Sequence, residues 1–468
     1  MASSHIAGTA RTAGRAIAAT GHAEVPLTLA EPVPQPLGLL DQLGLWGNLG
    51  VSLLGFTGAI WVLRPNGSGT PLLSFEAALA AIVAGTILGT LAVAASGVPG
   101  AVTGSPAMVL LRGLFGARLS YIPTVLNIAQ CVGWGTFELV TISTAAHLLA
   151  PGVPEWAFVV TGGVITTALT MRPLGFVRVL RRYVTGVVAV VLVYLLVELL
   201  HHPLPALSAG TWQGFWPATD TTVAVAISFA PLAADYTRHS RSPRTAFAAA
   251  LGGYSFTQVA CYLIGLITLV TVAKSPNDIY AAFIAVPLGS VAFTLLAVRE
   301  IDQAFTDVYS TAVSIQNLRP LTDRRVLAAT VGAVSTGLAL ALHIGDYLDF
   351  LDLIGSVFVP MFGVFVVDYF VVSRGRWDLS PTSPARWRML VPWLAGFITY
   401  QFVNPGQVSL WARLWADIAS AIGFHPASWM SASICSFAIS SLATLALGAQ
   451  RRLASDSRRS RSAGVAPT

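Results

Sequence analysis

The amino-acid sequence predicts an all-α protein that crosses a membrane many times. Only 10% of its 468 residues are charged and 54% are hydrophobic, whereas a soluble globular chain carries about 25% charged residues. Apolar stretches recur along the whole chain, each long enough to cross a hydrocarbon core about 30 Å thick. The mean hydropathy of +0.70 agrees with this pattern. Composition therefore excludes the soluble protein classes.

Twelve apolar stretches are predicted to form transmembrane helices. Their ranges are 41–63, 75–97, 120–149, 156–172, 183–200, 221–237, 246–272, 286–315, 326–343, 348–372, 388–404 and 430–449. Residues 1–40 are rich in Ala, Thr and Pro and are predicted to form a disordered cytoplasmic tail. Residues 450–468 are predicted to form a basic cytoplasmic tail. The three cysteines fall inside apolar segments and show neither a disulfide framework nor metal-binding spacing.

Basic residues divide unequally between the two sides of the predicted helices. Of the 27 Lys and Arg residues, three lie on one side (Arg64, Lys274 and Arg413) and Arg299 lies within a span, which leaves 23 on the other side. The positive-inside rule makes the richer side cytoplasmic, with both termini there. Helix orientation and contact with anionic lipid explain the net charge of +6. We therefore expect a monomeric, multi-pass protein of the cell membrane whose partner is the lipid bilayer and not nucleic acid.

Two of the predicted helices carry signals of interruption. The first contains four glycines around Trp46 and Asn48, and the sixth contains Pro231 within ISFAPLAAD. In transporters built from two inverted repeats of five helices, the first and sixth helices are broken where the substrate binds. The alternative is that these glycines and the proline only permit close helix packing. The predicted units are a first repeat over 41–200, a second repeat over 221–372 and two further helices over 388–449.

The third predicted helix places an aromatic ring beside an acid. Trp134 and Glu138 are four residues apart, so they share one helix face. A flat heterocycle stacked on Trp134 would present its N–H groups to the Glu138 carboxylate. The alternative is an interfacial tryptophan and a structural ion pair. We predict that both residues bind substrate.

The eighth predicted helix carries three acids, Glu300, Asp302 and Asp307, and one base, Arg299. Glu300 and Asp307 fall on one helix face, and Arg299 is spaced to pair with Asp302. Acids close together in a bilayer share protons, which suits a proton-coupled carrier. The alternative is a salt-bridge network centred on Arg299 that only stabilises the bundle.

Six short segments, in order, resemble the nucleobase–cation symporter family, the purine and cytosine permease group that includes hydantoin and allantoin carriers. They are LWGNLG, RGLFGARLSYIP, GWGTFE, AADYTR, DVYSTAVSIQNL and GSVFVPMFGVFVVDYF. The resemblance covers about residues 35 to 450. It implies a twelve-helix LeuT-type fold and alternating-access uptake of a small planar heterocycle driven by Na⁺ or H⁺.

The resemblance also implies roles for particular residues. Trp134 resembles the stacking tryptophan of the family, and Glu138 takes the place of a Gln or Asn that bonds the ring edge. Phe229 and the adjacent Ser228 match the substrate-binding part of the broken sixth helix. Asn48, with Trp46 two residues before it, matches the first-helix asparagine near the substrate. At the end of the sixth helix, Asp235 and Arg238 are predicted to form a cytoplasmic gate or anchor.

The sequence departs from the family at the coupling-ion site. The family's sodium site uses first-helix carbonyls, here at about Gly44 and Gly47, with hydroxyl side chains of the eighth helix. The matching positions are Ile301 and Asp302, so hydroxyl ligands are missing. Sodium ligation by Gly44, Gly47 and Asp302 stays open, but we favour proton coupling. No other metal and no cofactor are expected.

The acid at position 138 also bears on the choice of substrate. A carboxylate in place of an amide favours rings rich in N–H donors, such as cytosine, adenine or guanine, over uracil. Carriers of vitamin precursors (hydroxymethylpyrimidine-, thiamine- or pyridoxine-like), of hydantoin or of allantoin are alternatives. A membrane enzyme is disfavoured because the sequence has no HExxH motif or cofactor fingerprint. A channel is disfavoured because broken helices favour a closed central site.

Overall fold

The computed structural model describes residues 24–65, 72–273, 278–342, 347–406 and 408–463. These ranges contain twenty α-helices: α1 Leu39–Leu49, α2 Leu53–Leu63, α3 Phe75–Thr103, α4 Ala107–Phe115, α5 Tyr121–Leu149, α6 Glu155–Leu169, α7 Pro173–Val179, α8 Thr185–Leu199, α9 Phe215–Ile227, α10 Ala233–Thr237, α11 Pro243–Ala249, α12 Ser255–Thr271, α13 Ile279–Ala285, α14 Gly289–Arg299, α15 Ile301–Leu318, α16 Arg324–Ala339, α17 Tyr347–Val367, α18 Leu390–Val403, α19 Ser409–Ala421 and α20 Ala432–Ala463. Outside the helices, the described chain has only isolated β-bridges. The all-α prediction is confirmed.

Every predicted span coincides with one helix or with consecutive helices. By length and composition, five helices within the described ranges could cross a membrane, or up to seven if each bent pair is one span. The number twelve therefore stays a prediction. Sequence reading missed the short helices α4, α7, α13 and α19, because each has fewer residues than a span needs.

The packing of the helices follows the pattern of an inverted repeat. The second half of the first span, α2, packs along α12, and the first half of the sixth span, α9, packs along α3. In such a repeat, spans one and two correspond to spans six and seven. The packing of span one on span seven therefore corresponds to the packing of span six on span two. The helices of the third and eighth spans, α5 and α15, pack along each other, as the same correspondence requires.

The first predicted span is broken at residues 50–52, called here the first break. Helices α1 and α2 meet there at an angle of 57°. A Cβ on Gly50 would lie 2.2 Å from Thr257 Oγ1 and 2.5 Å from the Tyr254 carbonyl oxygen, so only glycine fits. Ser52 then starts α2, its hydroxyl accepting the backbone N–H of Leu54 at 3.1 Å.

The sixth predicted span is broken at residues 228–232, called here the second break. Helix α9 ends at Ile227, a 3₁₀ turn covers Ala230–Leu232, and α10 begins at Ala233. Pro231 has no N–H to continue the helix, and the chain resumes through a bond from the Leu232 N–H to the Phe229 carbonyl oxygen at 3.2 Å. The predicted discontinuities of the first and sixth helices are both confirmed.

The segment before α1 departs from the predicted disordered tail. Glu24 accepts the backbone N–H groups of Leu174 and Gly175 at the start of α7, at 2.7 and 3.0 Å. Gln35 donates to the carbonyl oxygens of Ala101 and Arg238. Backbone groups at or near helix ends therefore bind this polar segment. Amino-acid composition does not reveal such contacts. Residues 1–23 and 464–468 of the predicted tails lie outside the described residues, while 450–463 continue α20.

Candidate functional site

A small buried cavity lies where the two breaks meet the third, seventh and eighth spans. Its lining comes from the end of α1, the first break, α2, α5, α9, the second break, α12 with the turn before it, and α15: Leu49, Gly50, Ser52, Leu54, Gly55, Trp134, Glu138, Val225, Ser228, Phe229, Leu232, Tyr254, Gln258, Tyr262, Gln303 and Asp307. The cavity volume is about 30 Å³, enough for about two water molecules. A heterocyclic ring therefore enters only when lining side chains move apart.

The predicted pair on α5 lies in this cavity. Trp134 and Glu138 both line it, and both are buried. The edge of the Phe350 ring packs against Trp134, with centroids 5.4 Å apart and an interplanar angle of 76°. Phe350 also contacts Phe137 at 5.3 Å. The indole is thus held from α17, so a flat ligand would meet a positioned aromatic ring.

The second break supplies the opposing predicted residues. Ser228 and Phe229 line the cavity, and the Phe229 ring packs on Tyr254 with centroids 5.1 Å apart. The Ser228 hydroxyl donates to the Val225 carbonyl oxygen at 2.7 Å. Gln130 donates to the Ser228 carbonyl oxygen at 3.1 Å, so α5 braces this break.

Charged side chains of the eighth span hold the first break. Arg299 pairs with Glu300 at 3.1 Å and with Asp302 at 2.7 Å, and it also donates to the Asn48 carbonyl oxygen. Glu300 accepts the Ser52 hydroxyl at 2.9 Å and the Leu53 N–H at 3.0 Å. A cation therefore faces the carboxyl end of α1 and an anion faces the amino end of α2, each opposite in sign to the helix dipole it meets.

Gln303 completes the contact with the first break. Its side-chain amide donates to the carbonyl oxygens of Leu49 at 2.8 Å and Val51 at 2.6 Å. Arg299, Glu300 and Gln303 are called the clamp below. They satisfy backbone groups that the break removes from the helix and that a bilayer interior cannot hydrate.

The predicted acids of the eighth span take different places. Asp307 lines the cavity. Glu300 does not line the cavity and lies in the clamp, where it pairs with Arg299 at 3.1 Å. Asp302 does not line the cavity and is bound by Arg299. The predicted pairing of Arg299 with Asp302 is therefore present, and it removes Asp302 from the substrate side.

The structure does not assemble the other predicted cation ligands into a site. The Gly44 carbonyl oxygen accepts the Asn48 side-chain amide at 2.6 Å. Gly47 packs next to the Gly253 carbonyl oxygen, in the turn before α12. Ile301 packs into a cluster of apolar side chains from α5, α6, α15 and α16. Helix periodicity explains this, because Ile301 follows Glu300 by one residue and so points to another face.

Trp46 and Asn48 also lie outside the cavity, which corrects their predicted role. Trp46 is fully buried in the core and donates its indole N–H to Gln42 at 3.0 Å. The Asn48 side chain lies in a groove beside α8 and α12 and donates to the Thr185 hydroxyl at 2.8 Å. Both precede the break and lie on different faces of α1, and neither side chain lines the cavity. Only the Asn48 carbonyl takes part, through Arg299.

The two charged residues at the end of the sixth span, Asp235 and Arg238, make contacts that agree only in part with the predicted gate or anchor. Asp235 accepts the Ala107 N–H at 2.9 Å and so caps α4. Arg238, predicted as a cytoplasmic gate or anchor, is buried and donates to the Tyr309 hydroxyl at 3.0 Å. It therefore connects the sixth and eighth spans and does not reach lipid headgroups.

Comparison with known proteins places the chain in a family. The family model for permeases for cytosine/purines, uracil, thiamine and allantoin matches residues 48–386. The chain belongs to this family. A protein of Bacillus subtilis (strain 168) with the provisional name purine-cytosine permease YxlA is 23% identical over 328 residues, 64% of this chain and 70% of that protein.

Solved structures confirm the fold of this permease. Mhp1, a nucleobase-cation-symport-1 family transporter in a closed conformation with bromovinylhydantoin bound, superimposes with a TM-score of 0.69, at 17% identity over 92% of this chain and 95% of that chain. The inward-facing conformation of Mhp1 gives 0.62, at 16% identity over 91% and 94%. MhsT in complex with L-phenylalanine gives 0.51, at 15% identity over 85% and 98%.

These findings confirm the predicted class of activity. The chain is a membrane transporter of the symporter family and not an enzyme. The LeuT-type fold is confirmed as well. Mhp1 itself has been solved in closed and inward-facing conformations.

Several lining residues of the permease escaped sequence reading. Tyr254, Gln258 and Tyr262 come from α12 and the turn before it, and Ser52 comes from the first break. Gln258 left a usable signal, because it is a polar residue in the middle of an apolar span. The tyrosines left none, since aromatic residues are equally common in lipid-facing positions.

Proposed function

We propose that this permease imports a planar nitrogen heterocycle, cytosine or a purine base, into the cell together with protons. The observation that carries the proposal is the meeting of Trp134, Glu138, Phe229 and Ser228 in one cavity at the two breaks. Aromatic side chains provide faces for stacking, and the Glu138 carboxylate provides an acceptor for ring N–H groups. The family model and the provisional name of the Bacillus relative support the same substrate class.

Proton coupling is proposed because protein side chains bind the backbone carbonyls that the first break exposes. Freed carbonyls at such a break are ligands that a transporter can offer to a coupling cation. Here the carbonyls of Asn48, Leu49 and Val51 accept hydrogen bonds from Arg299 and Gln303. These donors take the place of a sodium ion.

The acids beside the cavity supply groups that can carry a proton instead. Glu138 and Asp307 both bring carboxyl groups to the cavity. Two carboxyl groups buried in one small cavity are compatible when they share a proton. Proton transfer to this pair and ring binding at Glu138 therefore involve the same side chain, which couples them.

A second candidate substrate is an aminopyrimidine precursor of a vitamin. It carries the same flat ring and amino donors, so Trp134 and Glu138 would meet it in the same way. Hydantoin and allantoin, which present more carbonyls to the Glu138 carboxylate, are less favoured. The inward direction, the cell membrane location, both cytoplasmic termini and a monomeric state complete the proposal, and the last is supported by a cavity built within one chain.

Transport by purified protein in liposomes tests this proposal. Labelled cytosine, adenine, guanine and hypoxanthine are offered with an inward proton gradient, with an inward sodium gradient and with neither. Accumulation is expected with the proton gradient alone. Accumulation driven only by sodium would refute the coupling, and no accumulation under any gradient would refute the symport of these bases.

Substitution of Glu138 tests its role in the same assay. We expect Glu138→Gln to lose accumulation against a gradient, because the shared carboxyl is gone, while the base still exchanges down its gradient. The order in which rings compete should change, since an amide presents a donor as well as an acceptor. Unchanged competition and unchanged accumulation would show that Glu138 neither binds the ring nor couples protons.

A further inference from the structure

Gln258 has the properties of a substrate ligand, although neither the sequence pattern nor the family resemblance predicted this role. It lines the cavity from α12 and is 2% exposed. Its amide nitrogen donates to the Thr86 hydroxyl at 3.0 Å and to the Thr222 carbonyl oxygen at 3.1 Å. Because the Thr222 carbonyl can only accept, the amide cannot be turned over. The oxygen Oε1 is buried and has no partner in the structure.

The other neutral side chains with assigned contacts around the cavity share this orientation. Gln303 commits both amide hydrogens to Leu49 and Val51. The Ser228 hydroxyl donates to the Val225 carbonyl oxygen, and the Ser52 hydroxyl donates to Glu300. Each of these side chains thus donates its polar hydrogens to other protein groups. Its oxygen can still accept a hydrogen bond from a ligand.

Charge in the cavity points the same way. Glu138 and Asp307 bring carboxylates to the lining, and no Lys, Arg or His is among the described residues that line it. Arg299, the nearest base in the eighth span, is bound by Glu300 and Asp302. A ligand amino group would therefore find acceptors on several helices.

We propose that the cavity selects rings that donate hydrogen bonds from two edges, and that Gln258 is the specificity-determining residue for the second edge. Glu138 on α5 accepts from one N–H or amino group, and Oε1 of Gln258 on α12 accepts from another. The substrate class is amino-substituted heterocycles, neutral or cationic. An analogue that replaces the amino group by a carbonyl leaves the Gln258 oxygen unpaired and facing a second oxygen. This inference deepens the proposed function and rests on its site.

Binding to purified protein in detergent tests the proposal without transport. The ligands are matched pairs in which an amino group stands in place of a carbonyl and the adjacent ring nitrogen is an acceptor in place of an N–H: cytosine and uracil, adenine and hypoxanthine, and guanine and xanthine. An aminopyrimidine and hydantoin are added. In the native protein we expect the amino member of each pair to bind at least about tenfold more tightly.

The variant Gln258→Leu removes the oxygen at nearly constant volume. It should weaken the amino member of each pair about tenfold and the carbonyl member much less, so that the preference within each pair narrows. The matched control is Thr86→Val, which removes one anchor of the amide but keeps the oxygen. That control should retain most of the preference.

The possible outcomes separate the two proposals. Equal weakening of both members by Gln258→Leu would show that Gln258 only supports the fold and would overturn the inference. Tighter binding of the carbonyl members by the native protein would overturn it while leaving nucleobase transport intact. Binding of the aminopyrimidine alone would support it and refute the nucleobase assignment. Binding of none of these rings would overturn both.

Discussion

The two helix breaks are related by the inverted repeat, yet different chemistry stabilises them. At the first break, Arg299 and Glu300 place full charges against the exposed ends of α1 and α2. At the second break the partners are neutral: Gln130 donates to the Ser228 carbonyl oxygen, and Ser96 donates to the Ala230 carbonyl oxygen at 3.4 Å. One break is thus held by ions and the other by amides and hydroxyls.

Local structure accounts for the difference. The second break keeps a 3₁₀ turn, and Pro231 within it has no N–H to satisfy, so few backbone groups need outside partners. The first break has a single turn, closed by the bond from the Val51 N–H to the Asn48 carbonyl oxygen at 3.1 Å, and no 3₁₀ helix follows it before the bend of 57°. Outside partners must then supply both signs of charge.

Removal of the clamp cation should have the largest effect. Arg299→Ala leaves Glu300 and Asp302 buried without their partner and is expected to cost about 3–5 kcal/mol of the free energy of unfolding. Arg299→Lys retains the charge without the planar fork and should lose less. Reversible unfolding in mixed detergent micelles measures both variants. A cost below about 1 kcal/mol for Arg299→Ala would show that the first break does not depend on charge.

Matched glutamine substitutions compare the two breaks directly. Gln303→Leu leaves the Leu49 and Val51 carbonyls without their side-chain donor and should cost about 2–3 kcal/mol. Gln130→Leu removes one donor from the Ser228 carbonyl and should cost about 1 kcal/mol. The same unfolding measurement applies. Equal losses in the free energy of unfolding would show that the first break does not depend more strongly on its side-chain donor than the second break does.

Matched serine substitutions should give the smallest effects. Ser52→Ala removes the cap of α2 and a hydrogen bond to Glu300, which is expected to cost about 1 kcal/mol. Ser228→Ala removes only a hydroxyl bonded within its own helix and should cost a few tenths of a kcal/mol. Thermal unfolding midpoints of the two variants, measured side by side, rank them. A larger loss for Ser228→Ala would reverse the ranking of the two breaks.

Sequence reasoning found the part of the site that depends on helix periodicity. Trp134 and Glu138 lie one turn apart on α5, and both line the cavity. It misplaced Trp46 and Asn48, because nothing in LWGNLG shows which face of α1 turns inward. It also missed Gln258, whose role depends on Thr86 and Thr222 from two other spans.

The sequence by itself determined the membrane helices, which two of them are broken, and the acids and aromatic residues available to a site. Apolar run length, glycine and proline content and side-chain periodicity are local properties, so they can be read along the chain. Only the tertiary structure decided which polar groups consume one another. Arg299 binds Asp302 and the first break, while Glu138 and Asp307 remain at the cavity. The physical reason is that hydrogen-bond donors and acceptors in a bilayer are satisfied between helices far apart in sequence.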